Sequence, residues 1–161
     1  MTEREYNDCV KNYADNVYRF VLKNCQHVED SKDIVQVAFE KLWINREKVN
    51  NEKCKSYLFT VAYNAMIDLL RKKKRVQLED NFTEGAMGYA DLKYNSQRII
   101  EEAFMRLGEV PRSLVLLKDY EGYSYEEIGI ITKLNPSQVK VYLHRARIQL
   151  RAYIVSPENV V

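Results

Sequence analysis

From Lys133 to Arg151 the chain carries Lys140, His144, Arg145, Arg147 and Arg151, with Gln138 and Tyr142 among them and no acid. A solvated helix usually mixes its charges for internal pairing, so a one-signed run suits a polyanion, neutralising phosphates and hydrogen-bonding base edges. The plainer reading is a C-terminal helix whose cations complement its own dipole. A second cationic block, RKKKR from Arg71 to Arg75, follows Tyr57, Phe59 and Tyr63 on one segment. Aromatics beside cations suit single-stranded nucleic acid, where bases stack and phosphates are neutralised. A soluble helix with a charged tail fits that block equally well.

The elements needed to hold these groups are legible nearby. Ser124 and Glu127 form a capping-box pattern ahead of Ile128 and Ile131, predicting a short helix that ends near Thr132 or Lys133. Asn135-Pro136 then opens a second helix, with an N-cap side chain followed by the position where proline is comfortable. Val139, Leu143, Ala146 and Leu150 recur at helical spacing as its buried stripe. Two helices joined by so short a turn make a helix-turn-helix. Ser137, Lys140 and Val141 lie on the side of the second helix that enters a major groove first, with Gln138 a partner for adenine.

The 161 residues, with 46% hydrophobic content and only five glycines and three prolines, predict an all-α chain of two small helical domains. The net charge of +2 hides segregation, because acids collect around residues 79–91 and 101–127. Cys9, Cys25 and Cys54 are too widely spaced for a disulfide framework or a zinc site. No metal or cofactor is expected. No apolar run suggests a signal peptide or a membrane span, so a cytoplasmic location is expected.

Residues 4–24 place Tyr6, Cys9, Val10, Tyr13, Val17, Phe20 and Val21 on one helical face. His27 reads as a solvated loop residue. The next helix is expected to start at Asp30 or Ser31 and to run to Ile44, burying Ile34, Val37, Ala38 and Leu42. Phe39 and Trp43 share an i,i+4 face, either as core residues or as part of a protein-binding surface. A third helix, with Cys54, Leu58, Val61, Ala62, Ala65 and Leu69 inward, is expected to fray near Lys74. Residues 76–95 contain Gly85 and Gly88 and four acids against one lysine, which reads as a flexible acidic linker. Ile99, Ile100, Ala103, Phe104 and Leu107 mark a further helix before Gly108, and Pro111 is expected to start the next.

Taken together, DSKDIVQVAFEKLWINR and SYLFTVAYNAMIDLLRKKKR resemble region 2 of bacterial sigma factors. VPRSLVLLKDYEGYSYEEIGIITKLNPSQVKVYLHRARIQLR resembles region 4. With only these two regions and a short linker, the chain is similar to the extracytoplasmic-function (ECF) group of the sigma-70 family. The resemblance implies a region 2-like bundle over 1–75, a linker over 76–95, a region 4-like helix-turn-helix over 96–155 and a tail over 156–161. It implies a non-enzymatic factor that binds core RNA polymerase and directs promoter recognition and DNA opening. An anti-sigma factor is a further candidate partner. Asp33, Gln36, Phe39 and Trp43 match the family's polymerase-binding helix. Asn64, Asp68, Arg71 and Lys72 match the segment facing the downstream promoter element. Lys140, His144, Arg145 and Arg147 match the helix facing the upstream element. The chain departs from the family at Tyr142, where a basic residue is common, and at Pro136-Ser137, where glycine often stands second. Two other readings remain at this point. One is a helix-turn-helix regulator that binds duplex DNA without polymerase. The other is a nucleic-acid enzyme using Asp33, Glu40 and Asp68 on metal, which lacks paired carboxylates or histidines in support.

Overall fold

The computed structural model describes residues 1–80 and 96–155. The expected linker beyond Asp80 and the expected tail from residue 156 lie outside the described residues. Helix α1 (Glu3–Cys25) starts in a capping box between Thr2 and Glu5 and ends at Gln26, whose left-handed backbone (φ 54°) sends its N–H to the Leu22 carbonyl. Helix α2 (Val28–Ile44) begins earlier than Asp30 or Ser31. Its N-cap is His27, whose Nδ1 accepts the Asp30 N–H at 3.2 Å. Glu29 and Asp30 then occupy the first turn, where carboxylates complement the dipole. Ser31 sits inside the helix, donating its hydroxyl to the His27 carbonyl at 2.7 Å.

A short 3₁₀ turn, Asn51–Lys53, leads into α3 (Cys54–Asp80), which continues past Lys74. Arg, Lys, Gln and Leu are good helix formers and no glycine or proline interrupts them, so the block propagates the helix. An ion pair between Lys73 and Asp30 also ties this end of α3 to α2. Helices α1, α2 and α3 pack on one another around Val17, Phe20, Ala38, Leu42, Leu58, Ala62 and Met66, each at most 2% exposed. Val37, expected in this core, is instead 37% exposed.

Helix α4 (Ser96–Arg106) buries Ala103 and supports Leu107, while Ile100 faces outward rather than inward. Helix α5 (Glu109–Val115) starts before Pro111, with Gly108 as its N-cap. Proline at the third helical position is harmless, because the N–H groups of the first turn have no partner inside the helix. The chain then widens into a π turn, Leu116–Tyr120, with Glu121 N–H on the Leu116 carbonyl at 3.1 Å. Gly122 reverses the chain at φ +75°, a conformation that suits glycine.

Helix α6 (Tyr125–Thr132) has the expected Ser124–Glu127 capping box, and α7 (Pro136–Ile154) opens at Asn135 as expected. Val139, Leu143 and Ala146 are buried and Leu150 is half-buried. Between α6 and α7, Lys133 takes the left-handed conformation (φ 63°) and Leu134 N–H bonds to the Gly129 carbonyl at 3.1 Å. Gly129 is the close approach in this turn: a Cβ there would stand 2.5 Å from the Leu134 carbonyl oxygen.

The two modules pack directly on each other. Phe59 on α3 meets the Tyr123 ring edge-on at a centroid distance of 5.6 Å, and both side chains are buried. Asn24 at the end of α1 accepts hydrogen bonds from Arg112 Nε and Ser113 Oγ of α5, each at 3.2 Å. Asn16 Nδ2 donates to Glu121 at 3.2 Å. One continuous core therefore spans both modules.

Candidate nucleic-acid interface

Pro136 presets the first helical turn of α7, and Asn135 closes a capping box with Gln138 (2.8 and 2.9 Å). The box commits the Gln138 amide to the helix end, so Gln138 is not the free adenine partner expected of it. The Asn135-x-x-Gln138 spacing was the available signal for this role. Ser137, Lys140, Val141, His144, Ile148 and Arg151 are exposed and follow one another three or four residues apart on the face opposite Val139 and Leu143. Arg145 and Arg147 flank this stripe, and Tyr142 is half-buried.

Acids are absent from α7 but reach it from its scaffold. Asp119 in the π turn pairs with Arg147 at 2.8 Å, orienting a guanidinium that the sequence left free. Tyr125 carries the ammonium of Lys140 at 5.2 Å and that of Lys118 at 4.7 Å from its ring centroid. Together these contacts hold the cations at the start and flank of α7 against α6 and the π turn.

On α3, Asn64, Asp68, Arg71, Lys72 and Arg75 are exposed and lie along one side of the helix at spacings of three to four residues. The expected stacking aromatics are elsewhere. Phe59 is 0% and Tyr63 6% exposed, sealed in the core, and the Tyr57 hydroxyl is held by Asn45 at 3.0 Å. Phe59 is taken up by Tyr123, a residue 64 positions later, so no local pattern could have revealed its burial. The α3 end therefore presents cations and two polar side chains, without a base-stacking platform.

Helix α2 shows a mixed face. Asp33, Gln36 and Glu40 are exposed, with Gln36 donating to Glu40 at 3.1 Å. Phe39 is only 9% exposed and accepts the Tyr6 hydroxyl at its carbonyl oxygen, so its side chain belongs to the core. Trp43 is 37% exposed, stacked under Arg46 at 3.8 Å and against the Tyr6 ring at 4.9 Å. Tyr6 and Arg46 were missed as members of this cluster, because they come from different segments. Val37 and Ile44 extend the exposed face with apolar surface.

Among the described residues no group of three or more His, Cys, Asp or Glu side chains converges as a metal site, and all three cysteines are free. No helix among them is long and apolar enough to cross a membrane.

Comparison with known proteins agrees with this layout. Residues 9–76 match the model of sigma-70 region 2, and residues 97–150 match that of sigma-70 region 4. The ECF RNA polymerase sigma factor SigM of Bacillus subtilis (strain 168) is 30% identical over 145 residues, covering 87% of this chain and 89% of that protein. The RNA polymerase sigma factor SigV of the same organism is 29% identical over 147 residues, covering 88% and 89%. The sigma factor RpoE of Bartonella quintana, solved with the anti-sigma factor NepR, shares the fold with a TM-score of 0.78 at 20% identity, covering 96% of this chain and 99% of that one. CnrH, solved with the cytosolic domain of CnrY, superposes with a TM-score of 0.73 at 19% identity, covering 97% and 91%. A region 2 bundle and a region 4 helix-turn-helix in this order, with relatives matching along nearly their whole length, make this chain a sigma factor of the ECF group in the sigma-70 family.

Proposed function

We propose that this sigma factor docks on core RNA polymerase through the exposed face of α2 and recruits promoter DNA through α3 and α7. Asp33, Gln36 and Trp43 form the polymerase-facing group, with Tyr6 and Arg46 fixing the indole and Phe39 anchoring the helix from inside. The stripe of Asn64, Asp68, Arg71 and Lys72 faces the downstream promoter element. Ser137, Lys140, Val141 and His144 face the upstream element, with Tyr142, Arg145 and Arg147 along the groove wall and Gln138 serving as a cap. The observation carrying this reading is the all-basic exposed side of a doubly capped helix-turn-helix on a region 4 scaffold.

The factor acts with the cytoplasmic transcription machinery and needs no catalytic group, because sequence selection and trapping of opened DNA are binding events. An anti-sigma protein as regulator is supported by RpoE and CnrH, each solved with such a partner or a domain of one. A polymerase-free regulator would leave the α2 face without a task. The test is co-purification with core polymerase and promoter-directed transcription by the reconstituted pair. Asp33→Lys and Trp43→Ala are each expected to weaken core binding, by ~2 kcal/mol for a central aromatic, with helicity kept. Native-like core binding by both variants would refute the α2 assignment. Loss of helicity in Trp43→Ala would instead make the indole a structural residue.

A further inference from the structure

Where the C-terminal half of α3 passes the α4–α5 junction, the two modules enclose a broad cleft of about 800 Å³. Its walls carry Lys72, Lys73 and Lys74 from one module and Arg106 and Arg112 from the other, against the single carboxylate of Glu109. Lys73 is partnered by Asp30, but Lys72 and Lys74 have no ion pair among the described residues. Arg112 is only 4% exposed, and its hydrogen bonds go to two neutral oxygens, Asn24 Oδ1 (3.2 Å) and the Leu107 carbonyl (3.0 Å). A buried guanidinium without a carboxylate is poorly compensated, and a nearby anion would relieve it. The rest of the lining is apolar and includes Leu70, Val76 and Met105.

We propose that this cleft binds a nucleoside polyphosphate, its phosphates between the α3 lysines and the arginines of the second module, its base on the apolar wall. The volume is in the range of small-molecule sites, and the mix of convergent charge and apolar surface suits a molecule with an anionic end and a flat ring. A duplex does not fit between two modules in contact. Because cations from both modules take part, the ligand would hold the modules together.

The test is calorimetric titration of the whole chain with ATP, inorganic tripolyphosphate and adenosine at moderate salt. One ATP is expected per chain, with tripolyphosphate weaker and adenosine inert. Lys74→Ala and Arg106→Ala are each expected to weaken ATP binding by about five- to tenfold, as loss of a charge-assisted contact does. Arg71→Ala alters the same basic block outside the cleft and is expected to change ATP affinity less than twofold. Equal losses in Arg71→Ala and Lys74→Ala, or several ATP molecules per chain, would reduce the effect to loose binding on a basic surface and overturn the proposal. Native-like affinity in Arg106→Ala, or binding of tripolyphosphate as tight as that of ATP, would overturn it too. Lys74 is exposed, so its variant tests the cleft even if Arg106→Ala disturbs the packing of that side chain on Tyr153.

Discussion

Replacing Gly129 by alanine tests whether the turn of the helix-turn-helix sets the position of α7. The new Cβ would lie 2.5 Å from the Leu134 carbonyl oxygen, well inside the 3.4 Å at which ordinary contact begins. The obstacle is backbone rather than a side chain that can swing away, and Leu134 N–H is itself bonded to Gly129. Overpacking of this kind costs roughly 1–3 kcal/mol. Against it stands the gain in helix propensity of alanine over glycine, close to ~1 kcal/mol in a helix interior. Loss or stretching of the Leu134 hydrogen bond adds about 1 kcal/mol on the unfavourable side. The clash wins, by a net of about 1–2 kcal/mol, and Tm falls by roughly 2–8 °C for a chain of this size.

The readout is thermal denaturation followed by helical circular dichroism, together with affinity for upstream-element DNA in the polymerase complex. Ile130→Ala is the control, since Ile130 is 72% exposed on the same helix and its loss should stay within ~0.5 kcal/mol. DNA affinity should fall with Gly129→Ala and not with Ile130→Ala, because only the former moves the start of α7. A Gly129→Ala protein that melts at or above the unaltered one would show that the turn gives way freely. The reasoning from the contact would then be wrong.

Neutralising Arg71 and Lys72 to alanine should weaken promoter binding at every sequence and lower the log–log salt slope by roughly one per lost phosphate contact; an unchanged slope would make these residues a solvated helix end. Selection of randomised upstream elements with polymerase and Lys140→Ala should shift base preference at one or two adjacent positions, with a loss of ~1–3 kcal/mol. An identical selected sequence with lower yield would make Lys140 a phosphate anchor. Acid should destabilise the fold through two carboxylates held below their ordinary values, Asp30 chiefly by its hydrogen bond from Lys73 and Glu127 by the Ser124 N–H. Folded values below unfolded ones give stability that is present above the ordinary 3.8 and 4.5 and lost as pH falls further, so Tm should drop from about pH 4.5 downward and drop less in Glu127→Gln.

Local chemistry explains what could be read in advance. Ser124-x-x-Glu127 and Asn135-Pro136 act within one helical turn, so both helix starts of the reading motif were legible from a few residues. The helical period placed Val17, Phe20, Leu42, Leu58 and Leu143 inward for the same reason. The unread features depend on distant partners or on unusual choices. Histidine is an uncommon N-cap, so His27 passed as a loop residue. Phe59 and Tyr63 looked like stacking groups because their burial involves the far module and the neighbouring helices. The basic block looked like a fraying end, although its residues are good helix formers and Lys73 has a partner 43 positions earlier in Asp30.

The contact between the modules has a composition that bears on how the two DNA-facing helices work. Asn24 is fully buried, with its Nδ2 on the Phe20 carbonyl at 2.9 Å and its Oδ1 shared by Arg112 and Ser113. A carboxylate in that place would form a buried ion pair, and parting it would leave two uncompensated charges until water arrived. The neutral amide leaves only one, and hydrogen bonds to a charged group are worth about 1.5–3 kcal/mol each, enough to set a register without welding it. Phe59 and Tyr123 add apolar contact beside this polar group rather than around it. Interfaces between modules of one chain are generally polar and separable when small. On the proposed reading, α3 and α7 meet different stretches of promoter DNA, so the modules must adjust their spacing to the polymerase. A contact anchored on one buried amide fixes their alignment in the free chain and yields that freedom at low cost.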